Sequence, residues 1–382
     1  MLTKSAYARA GVDIDIEAQA SIIMYEASRW TYRNRWGKVG KVETLFNDFA
    51  GLRIFNVGGL PKDARASLNV DGAGTKVEFP QRTGRYDGIG HDLIAMLADD
   101  AAIRGGEPAL IANVLDVRTL AAPPPSTLAH LERVKALANG MVAAAGLAGV
   151  AVINGEIAQM GAVISGYGNF PFTWSGSCIW FGRRRRLISG LKVRPGDAVV
   201  ALREKGFRAN GLSLVREVYE KRYGPEWHAV PFGLTAKPLG EAVALPSVIY
   251  AKLLVRLTGG YHGKPVARIH AAAHITGGGI PEKLGRVLRP SGCGAKLFNL
   301  FAPGSVATHC QRIGGFSDYE AYDALNMGQG MLLVTPDPGK VLEEAHKRGI
   351  EAQEAGFITP KREILLTSRG LEAPGKRLCF RL

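Results

Sequence analysis

The stretch that decides the predicted fold and function is Ser67-Leu68-Asn69-Val70-Asp71-Gly72-Ala73-Gly74-Thr75-Lys76. In this stretch a short run of residues ends in the carboxylate of Asp71, two glycines flank an alanine, and the hydroxyl of Thr75 and the ammonium of Lys76 follow. Glycine lets the backbone approach a ligand closely, Asp71 offers oxygen ligands suited to Mg²⁺, and Lys76 offers a point charge for phosphate. The stretch predicts a metal–phosphate site at a strand end. A tight turn with exposed Asp71 and Lys76 is an equal alternative.

Length and composition predict a two-domain protein that is soluble and cytoplasmic. The chain has 382 residues, of which 46% are apolar, so it can bury a sizeable core. Its four cysteines are scattered without a Cys-x-x-C pair, which argues against structural zinc and a disulfide framework. Residues 1–15 lack the apolar region of a signal peptide. The longest nearly apolar run, residues 141–153, is too short to span a bilayer, so no membrane association is predicted.

The formal net charge of +14 raises the question of a nucleic-acid partner. The one dense basic run, Arg183–Arg186, lies between two apolar runs, and this placement predicts a hairpin turn. No basic stripe interleaved with aromatic residues accompanies that run, as single-strand binding usually requires. Nucleic acid is therefore not predicted as a partner, and a basic surface also suits a small polyanionic substrate.

A helix is predicted from about His91 to Arg104, and its acidic residues are informative. Asp100 follows Leu93 by seven residues and therefore falls on the same apolar stripe. A carboxylate on such a stripe is costly unless it is paired or binds metal; the alternative is an Asp100 at the stripe's edge that reaches solvent. Asp92 and Asp99 share a neighbouring face, and simple solvation is one interpretation of both.

Two buried strands are predicted at residues 109–117 and 149–153. The second ends in Asn154-Gly155-Glu156, so that another strand end carries an acid. Together, Asp71, Asp100 and Glu156 are the kind of carboxylate set that a Mg²⁺–polyphosphate site requires. The sequence therefore predicts these three residues as metal ligands.

The character of the chain changes near residue 172, which divides it into predicted domains at 1–172 and 173–382. In the second domain a glycine-bounded loop, residues 206–216, opens a helix. Farther on, His274 and Thr276 precede Gly277-Gly278-Gly279, a predicted anion cradle at a helix N-terminus; a flexible connector is the alternative. Neither G-x-x-x-x-G-K-[ST] nor a G-x-G-x-x-G after a strand is present, so any ATP site has another architecture.

The ordered set of motifs resembles the phosphoribosylformylglycinamidine cyclo-ligase (aminoimidazole ribonucleotide synthetase) family over roughly residues 5 to 360. The first-half motifs are Tyr7–Asp15, Asp71–Lys76, Gly90–Asp100, Gly105–Pro108 and Asn154–Met160. The second-half motifs are Ala209–Arg216, His274–Glu282 and Asn326–Met331.

The resemblance implies an α/β protein of two domains, the first binding ATP and Mg²⁺ and pairing its sheet into a barrel shared by a homodimer. It implies ATP-dependent ring closure of formylglycinamidine ribonucleotide to aminoimidazole ribonucleotide in purine biosynthesis. Catalysis is assigned to Asp71, Lys76 and His274. Cofactor binding is assigned to Asp71, Gly72, Gly74, Thr75, Lys76, Asp92, Asp100, Asn210, Gly277, Gly278 and Gly279.

Three segments depart from the family pattern. A glycine-rich segment is missing from residues 38–52, a hydroxyl and an acid are lost after Glu156, and Arg208 with Ala209 replaces the usual His-Ser before Asn210. Two alternatives therefore stay open. One is a paralogous ATP-dependent kinase or synthetase for another small molecule, and the other is a non-catalytic nucleotide-binding dimer.

Overall fold

The computed structural model describes residues 14–44, 52–122, 126–234 and 236–382. It divides into two compact units. The first comprises the described residues up to Leu60 together with Ala66–Ala98 and Pro108–Trp180. The second comprises Pro61–Arg65, Asp99–Glu107 and Phe181–Leu382. No helix in the described ranges is long and apolar enough to cross a membrane.

The described part of the first unit contains six strands, four of which form one sheet with helices packed on it. Its strands are β1 (Val42–Thr44), β2 (Arg53–Phe55), β3 (Ala64–Gly72), β4 (Glu107–Val117), β5 (Ala151–Gln159) and β6 (Phe172–Arg183). Its helices are α1 (Ile14–Thr31), α2 (Glu78–Thr83), α3 (Ile89–Ala102) and α4 (Ala129–Ala148). The last four residues of α3, which begin at Asp99, belong to the second unit. The sheet has the order β3-β6-β4-β5, and β1 pairs separately with β2. Strands β4 and β5 are parallel, as expected for strands joined by a helical crossover.

Helices α3 and α4 approach each other closely at two glycines. A Cβ atom on Gly140 would lie 1.9 Å from the carbonyl oxygen of Asp87, and one on Gly90 would lie 2.5 Å from the backbone nitrogen of Met141. Contacts this short exclude any side chain at either position. Asp87 and Gly90 lie just before and within the first turn of α3, so α4 packs against the start of this helix, which is buried almost completely along its length.

The second unit is built on a seven-stranded sheet. Its strands are β7 (Ala198–Arg203), β8 (Pro231–Phe232), β9 (Lys237–Pro238), β10 (Ala271–His274), β11 (Gly294–Leu297), β12 (Gln329–Thr335), β13 (Ala352–Thr359), β14 (Glu363–Thr367) and β15 (Arg377–Arg381). Its helices are α5 (Leu212–Tyr223), α6 (Leu239–Val243), α7 (Ala251–Thr258), α8 (Gly279–Leu288), α9 (Ser305–Gly314), α10 (Asp318–Ala324) and α11 (Pro338–His346). The order of the seven strands in the sheet is β10-β12-β7-β13-β11-β14-β15, and β8 pairs separately with β9. The fully buried β12 lies beside β7, so the apolar core is centred on this pair.

The predicted elements are largely present, with two corrections. The strand predicted to end at Ile153 continues through Gln159 as β5, so Glu156 lies within a strand and not at its end. The Arg183–Arg186 run is not a hairpin turn, because β6 ends at Arg183, a short 3₁₀ helix follows, and the next strand, β7, belongs to the other sheet. Part of the Tyr7–Asp15 motif and of the departing segment at 38–52 lies outside the described residues.

A buried carboxylate anchors the C-terminal segment of the second unit. Asp318, at the start of α10, has no exposed surface. It accepts hydrogen bonds from Gln311 Nε2 at 2.6 Å and from the Ser368 hydroxyl. The backbone N–H groups of Glu372 and Ala373 donate to it at 3.1 and 3.0 Å. Burial opposes ionisation, but these four donors outweigh it and hold the pKa of Asp318 below its ordinary value.

The Asp318→Asn variant is expected to be destabilised by on the order of 2 kcal/mol near pH 7, because hydrogen bonds to a charged group are lost and one donor is left unsatisfied. The folded-state pKa is lowered, so the stabilisation is present above the unfolded pKa of about 3.9 and is lost as pH falls through the folded value. Urea unfolding should therefore show the difference from wild type shrinking in acid. Asp323→Asn, on the exposed side of the same helix, is the control and should change little at either pH.

Candidate active site

The Asp71–Lys76 loop lies where β3 ends, as predicted. Strand β3 runs through Gly72, Ala73 is buried, and a 3₁₀ helix begins at Gly74, whose φ of +56° lies in the left-handed region. The Asp71 carboxylate is partly exposed and accepts a hydrogen bond from the Gly72 N–H at 2.7 Å. Gly74 and Thr75 are exposed. The loop thus presents one carboxylate, one hydroxyl and unhindered backbone to a ligand.

Lys76 is buried and forms an ion pair, unlike its neighbours in the loop. Its Nζ lies 2.7 Å from Asp92 Oδ1, and both side chains are about 1% exposed. The interpretation of Asp92 as solvated is therefore wrong, and the ammonium of Lys76 compensates a buried carboxylate. Replacing Lys76 changes stability as well as charge, so such a variant cannot by itself test phosphate binding.

The acidic end of α3 differs from the helical-stripe prediction. Asp99 is fully buried, and the Asp100 side chain is 38% exposed. An amphipathic helix buries one face, and the positions of its acids were predicted on that basis. Because α3 is instead buried on nearly all sides, the acids within its length are inside. The interpretation of Asp99 as solvated is wrong, while Asp100 is accessible enough to bind a ligand.

Arg208 is the centre of a buried cluster in the second unit. This side chain, 1% exposed, lies between β7 and α5 and donates to Asp99 Oδ2 at 3.0 Å and to Glu204 Oε2 at 3.2 Å. It also donates to the carbonyl oxygen of Val248 at 2.6 Å and contacts His274 Nε2. Burial alone would lower the pKa of Arg208, but the two carboxylates outweigh it and raise the pKa, so the cluster contains a permanent cation.

His274 links this cluster to Asp100. It ends β10, is 2% exposed, and places Nδ1 2.7 Å from Asp100 Oδ1. Because a guanidinium has only donors, Nε2 accepts from Arg208, and the ring proton lies on Nδ1 and is donated to Asp100. Burial and Arg208 lower the pKa of His274 to about 4, so the ring is neutral. Burial opposes ionisation of Asp100, but the hydrogen bond from His274 and the nearby cations outweigh it and lower the pKa of Asp100.

The triple glycine lies between β10 and α8, as predicted. Gly277 and Gly278 are partly exposed, and α8 begins at Gly279. A Cβ atom on Gly279 would lie 1.8 Å from the carbonyl oxygen of Tyr322, so packing alone requires this glycine. Beside Gly277, the buried Oδ1 of Asn210 makes no hydrogen bond with any described residue. The Oδ1 atom is an acceptor and suits a donor group such as a hydroxyl or amino group, whereas the accessible backbone N–H groups suit an anion, and ATP carries both kinds of group.

Glu156 lies on the first unit, within β5, where it is exposed. It lines a cavity of about 360 Å³ together with Glu17, Tyr25, Arg53 and Asn154. Across residues 14–44, 52–122, 126–234 and 236–382, no group of three or more His, Cys, Asp or Glu side chains is arranged to hold a metal ion. The assignment of Mg²⁺ to Asp71, Asp100 and Glu156 stays a prediction; Asp71 and Glu156 lie on the two edge strands of the four-stranded sheet, β3 and β5, with two strands between them.

The partners of the buried acids were not predicted from the sequence. The available signal was the seven-residue spacing of Asp92 and Asp99 on a helix otherwise rich in apolar residues, since two acids inside such a helix need cations. The structure supplies Lys76 to one and Arg208 to the other. Arg208, noted in the sequence only as a departure from the family pattern, is therefore a central residue of the second unit.

Two family models match the chain. The model described as AIR synthase related protein, N-terminal domain, matches residues 48–179, and the corresponding C-terminal domain matches residues 194–367. Relatives named phosphoribosylformylglycinamidine cyclo-ligase include one from Nitrosococcus oceani, 31% identical over 93% of this chain and 92% of its own length. Another, from Thermococcus kodakarensis, is 30% identical over 96% of this chain and 99% of its own length.

Solved structures share the fold at lower identity. The hydrogenase maturation protein HypE in complex with ATP has a TM-score of 0.56 at 13% identity, covering 86% of this chain and 87% of its own. A thiamine-monophosphate kinase from Stenotrophomonas maltophilia K279a has a TM-score of 0.58 at 18% identity, covering 90% and 95%. The fold is thus one that a known ATP-binding protein also adopts. The matches along the length of the chain establish that it belongs to the AIR synthase family.

Proposed function

We propose that this protein is an ATP-dependent cyclo-ligase that converts formylglycinamidine ribonucleotide to aminoimidazole ribonucleotide. The observation that carries the proposal is the similarity, over more than nine-tenths of both chains, to relatives that bear this activity in their name. The geometry supports it, because the same chain holds accessible acids, a glycine-rich helix N-terminus and an unsatisfied amide. The reaction fits the cytoplasmic location predicted from the sequence.

Bound ATP would supply a phosphoryl group that converts the formyl oxygen of the substrate into a leaving group. The N–H groups of Gly277 and Gly278 would hold phosphate oxygens, because that of Gly279 already donates to the carbonyl oxygen of Thr276 at 2.9 Å. Asn210 would orient the nucleotide. Asp71, Asp100 and Glu156 would hold Mg²⁺, which offsets the negative charge of the phosphates. His274 keeps Asp100 ionised and oriented through the hydrogen bond from Nδ1. Because Arg208 and Asp100 engage both ring nitrogens of the buried His274, this residue would act on the substrate only through Asp100.

The test is ADP formation by the purified protein with ATP, Mg²⁺ and formylglycinamidine ribonucleotide. ADP should appear only when the amidine is present, and aminoimidazole ribonucleotide should form with it in equal amount. ADP formation with thiamine monophosphate in place of the amidine would instead support the kinase alternative. ATP binding without turnover of either compound would support a non-catalytic dimer.

We also propose that two copies of the chain form a homodimer through their first units. One face of the four-stranded sheet exposes apolar side chains, with Val70 72% and Val114 39% exposed. These two residues, Ser175 and Ser177 line a cavity of about 360 Å³ on this face. An exposed apolar sheet face is typical of a protein interface, and a second copy that pairs the same face would cover it.

The Val70→Glu variant is expected to be monomeric, because a carboxylate at the centre of an apolar interface loses its hydration without gaining a partner. Sedimentation velocity at micromolar concentration should show a dimer for wild type and a monomer for the variant, with unchanged circular dichroism. Leu147→Glu, which changes an exposed leucine on α4, is the control and should remain dimeric. Monomeric wild-type protein would refute the dimer.

A further inference from the structure

The surface around the end of α1 combines cations with exposed aromatic rings. Residues 29–41 read Arg-Trp-Thr-Tyr-Arg-Asn-Arg-Trp-Gly-Lys-Val-Gly-Lys, with five basic residues and no acid. Trp30 is 63% and Trp36 69% exposed, whereas Trp174, Trp180 and Trp227 are at most 8% exposed. Large exposed aromatic side chains are uncommon on a surface without a partner. We call the exposed residues of this segment the tryptophan patch: Arg29, Trp30, Arg33, Trp36, Lys38 and Lys41.

Cations and rings are in contact within the patch and beside it. The Arg33 guanidinium lies 5.3 Å from the centre of the Trp30 ring. Arg29 of the patch and Arg53 beside it lie 5.7 and 4.6 Å from the centre of the Tyr25 ring. A guanidinium stacked on an aromatic ring can still donate from its edge to an anion. The patch therefore offers flat stacking surfaces and positive charge side by side.

The loop that carries Trp36 is held in place by a buried residue. Arg35, 1% exposed, donates from Nε to the carbonyl oxygen of Val39 at 3.0 Å and from Nη1 to that of Gly149 at 3.4 Å. The Gly40 N–H donates to the carbonyl oxygen of Asn56 at 2.8 Å. With Arg35 turned inward, its neighbour Trp36 points outward. A preformed platform of this kind loses little entropy when a ligand stacks on it.

We propose that the tryptophan patch binds single-stranded nucleic acid. Bases stack on aromatic side chains, and phosphates are neutralised by neighbouring cations, in proteins that bind single strands without sequence preference. The net charge of +14 favours a polyanion over a neutral partner. An anionic membrane fits less well, because a helix that lies on a membrane inserts an apolar face, and the exposed face of α1 carries Asp15 and Glu26. The inference is independent of the proposed ligase activity.

The test uses fluorescently labelled oligo(U) and oligo(dT) of about 12 nucleotides, a length within the range that single-strand sites cover. Binding should raise the anisotropy of the label and quench tryptophan fluorescence, since only Trp30 and Trp36 are exposed to quenching. The Trp30→Ser/Trp36→Ser variant should bind about tenfold more weakly or worse, because each base stack contributes substantially. Both residues are exposed, so the fold should be retained.

The contribution of the cations to binding is tested with a matched control. Arg33→Ser/Lys38→Ser removes two exposed cations from the patch, and Arg184→Ser/Arg185→Ser removes two exposed cations elsewhere. The first variant should reduce the slope of log affinity against log salt by about 1.4, at about 0.7 per contact with a single strand. The second should leave both slope and affinity at the wild-type values.

Four results would overturn the proposal. Equal weakening by the control variant would show nonspecific attraction to the net charge, and no binding by wild type would show that the patch lacks this function. Binding to vesicles containing phosphatidylserine without binding to either oligonucleotide would identify a membrane surface. Conversion of a dimer to a monomer by Trp30→Ser/Trp36→Ser in sedimentation velocity would show that a second copy covers the patch.

Discussion

The Arg208→Met variant should be destabilised by about 3–5 kcal/mol, because Asp99 and Glu204 would be left buried without their cation. The guanidinium donates to both carboxylates and to Val248, and its centre lies 5.4 Å from that of the Tyr250 ring. Methionine fills a similar volume but supplies neither charge nor donors. The midpoint of urea unfolding, followed through the buried Trp227 of the second unit, measures the effect.

The matched control for this prediction is Arg203→Met. Arg203 forms an ion pair with Glu351 at 3.5 Å, with side chains 31% and 48% exposed. A pair as exposed as this contributes at most about 1 kcal/mol. The variant Arg208→Met/Asp99→Leu/Glu204→Leu should recover part of the lost stability, since it removes the unpaired acids together with the cation. If Arg208→Met is as stable as Arg203→Met, the buried ion cluster does not stabilise the fold.

The Asp71→Asn variant should lose about 100-fold or more of its amidine-dependent ADP formation, because a charge-stabilising contact to the transferring phosphoryl group is removed. Asparagine keeps the shape of the side chain and can still accept the hydrogen bond from Gly72 N–H, so the loop should be preserved. Calorimetric titration of ATP at several Mg²⁺ concentrations gives a readout that does not depend on turnover. It should show a weakened Mg²⁺ dependence.

The control for Asp71→Asn is Glu132→Gln, which removes one negative charge from the outer face of α4, where Glu132 pairs with exposed Lys135. Its ADP formation and ATP affinity should equal those of wild type. If Asp71→Asn binds Mg²⁺ and ATP as tightly as wild type, Asp71 is not a metal ligand. If wild type forms no ADP with the amidine while Asp71→Asn still weakens ATP binding, the substrate assignment fails and the metal assignment stands.

The parts of this protein that follow from local sequence were predictable. A buried strand was predicted from the alternation of residues 109–117, and β4 is found there. A helix start was predicted from Gly277–Gly279, and α8 begins at Gly279. The ordered motifs also identified the family, and the matches over residues 48–179 and 194–367 confirm it. Such features need only contacts within one element or the order of elements along the chain.

Tertiary structure decided which charged residues are inside. Asp92 and Asp99 could pass for solvated residues in the sequence, yet both are buried, and Lys76 and Arg208 compensate their charge. Arg208 and Asp99 are 109 residues apart, so no periodicity along the chain reveals their contact. The outward position of Trp36 likewise depends on the capture of Arg35 by the carbonyl oxygen of Gly149, 114 residues away. Sequence patterns report the burial of apolar faces, whereas the burial of a charge depends on a partner that only the folded chain brings near.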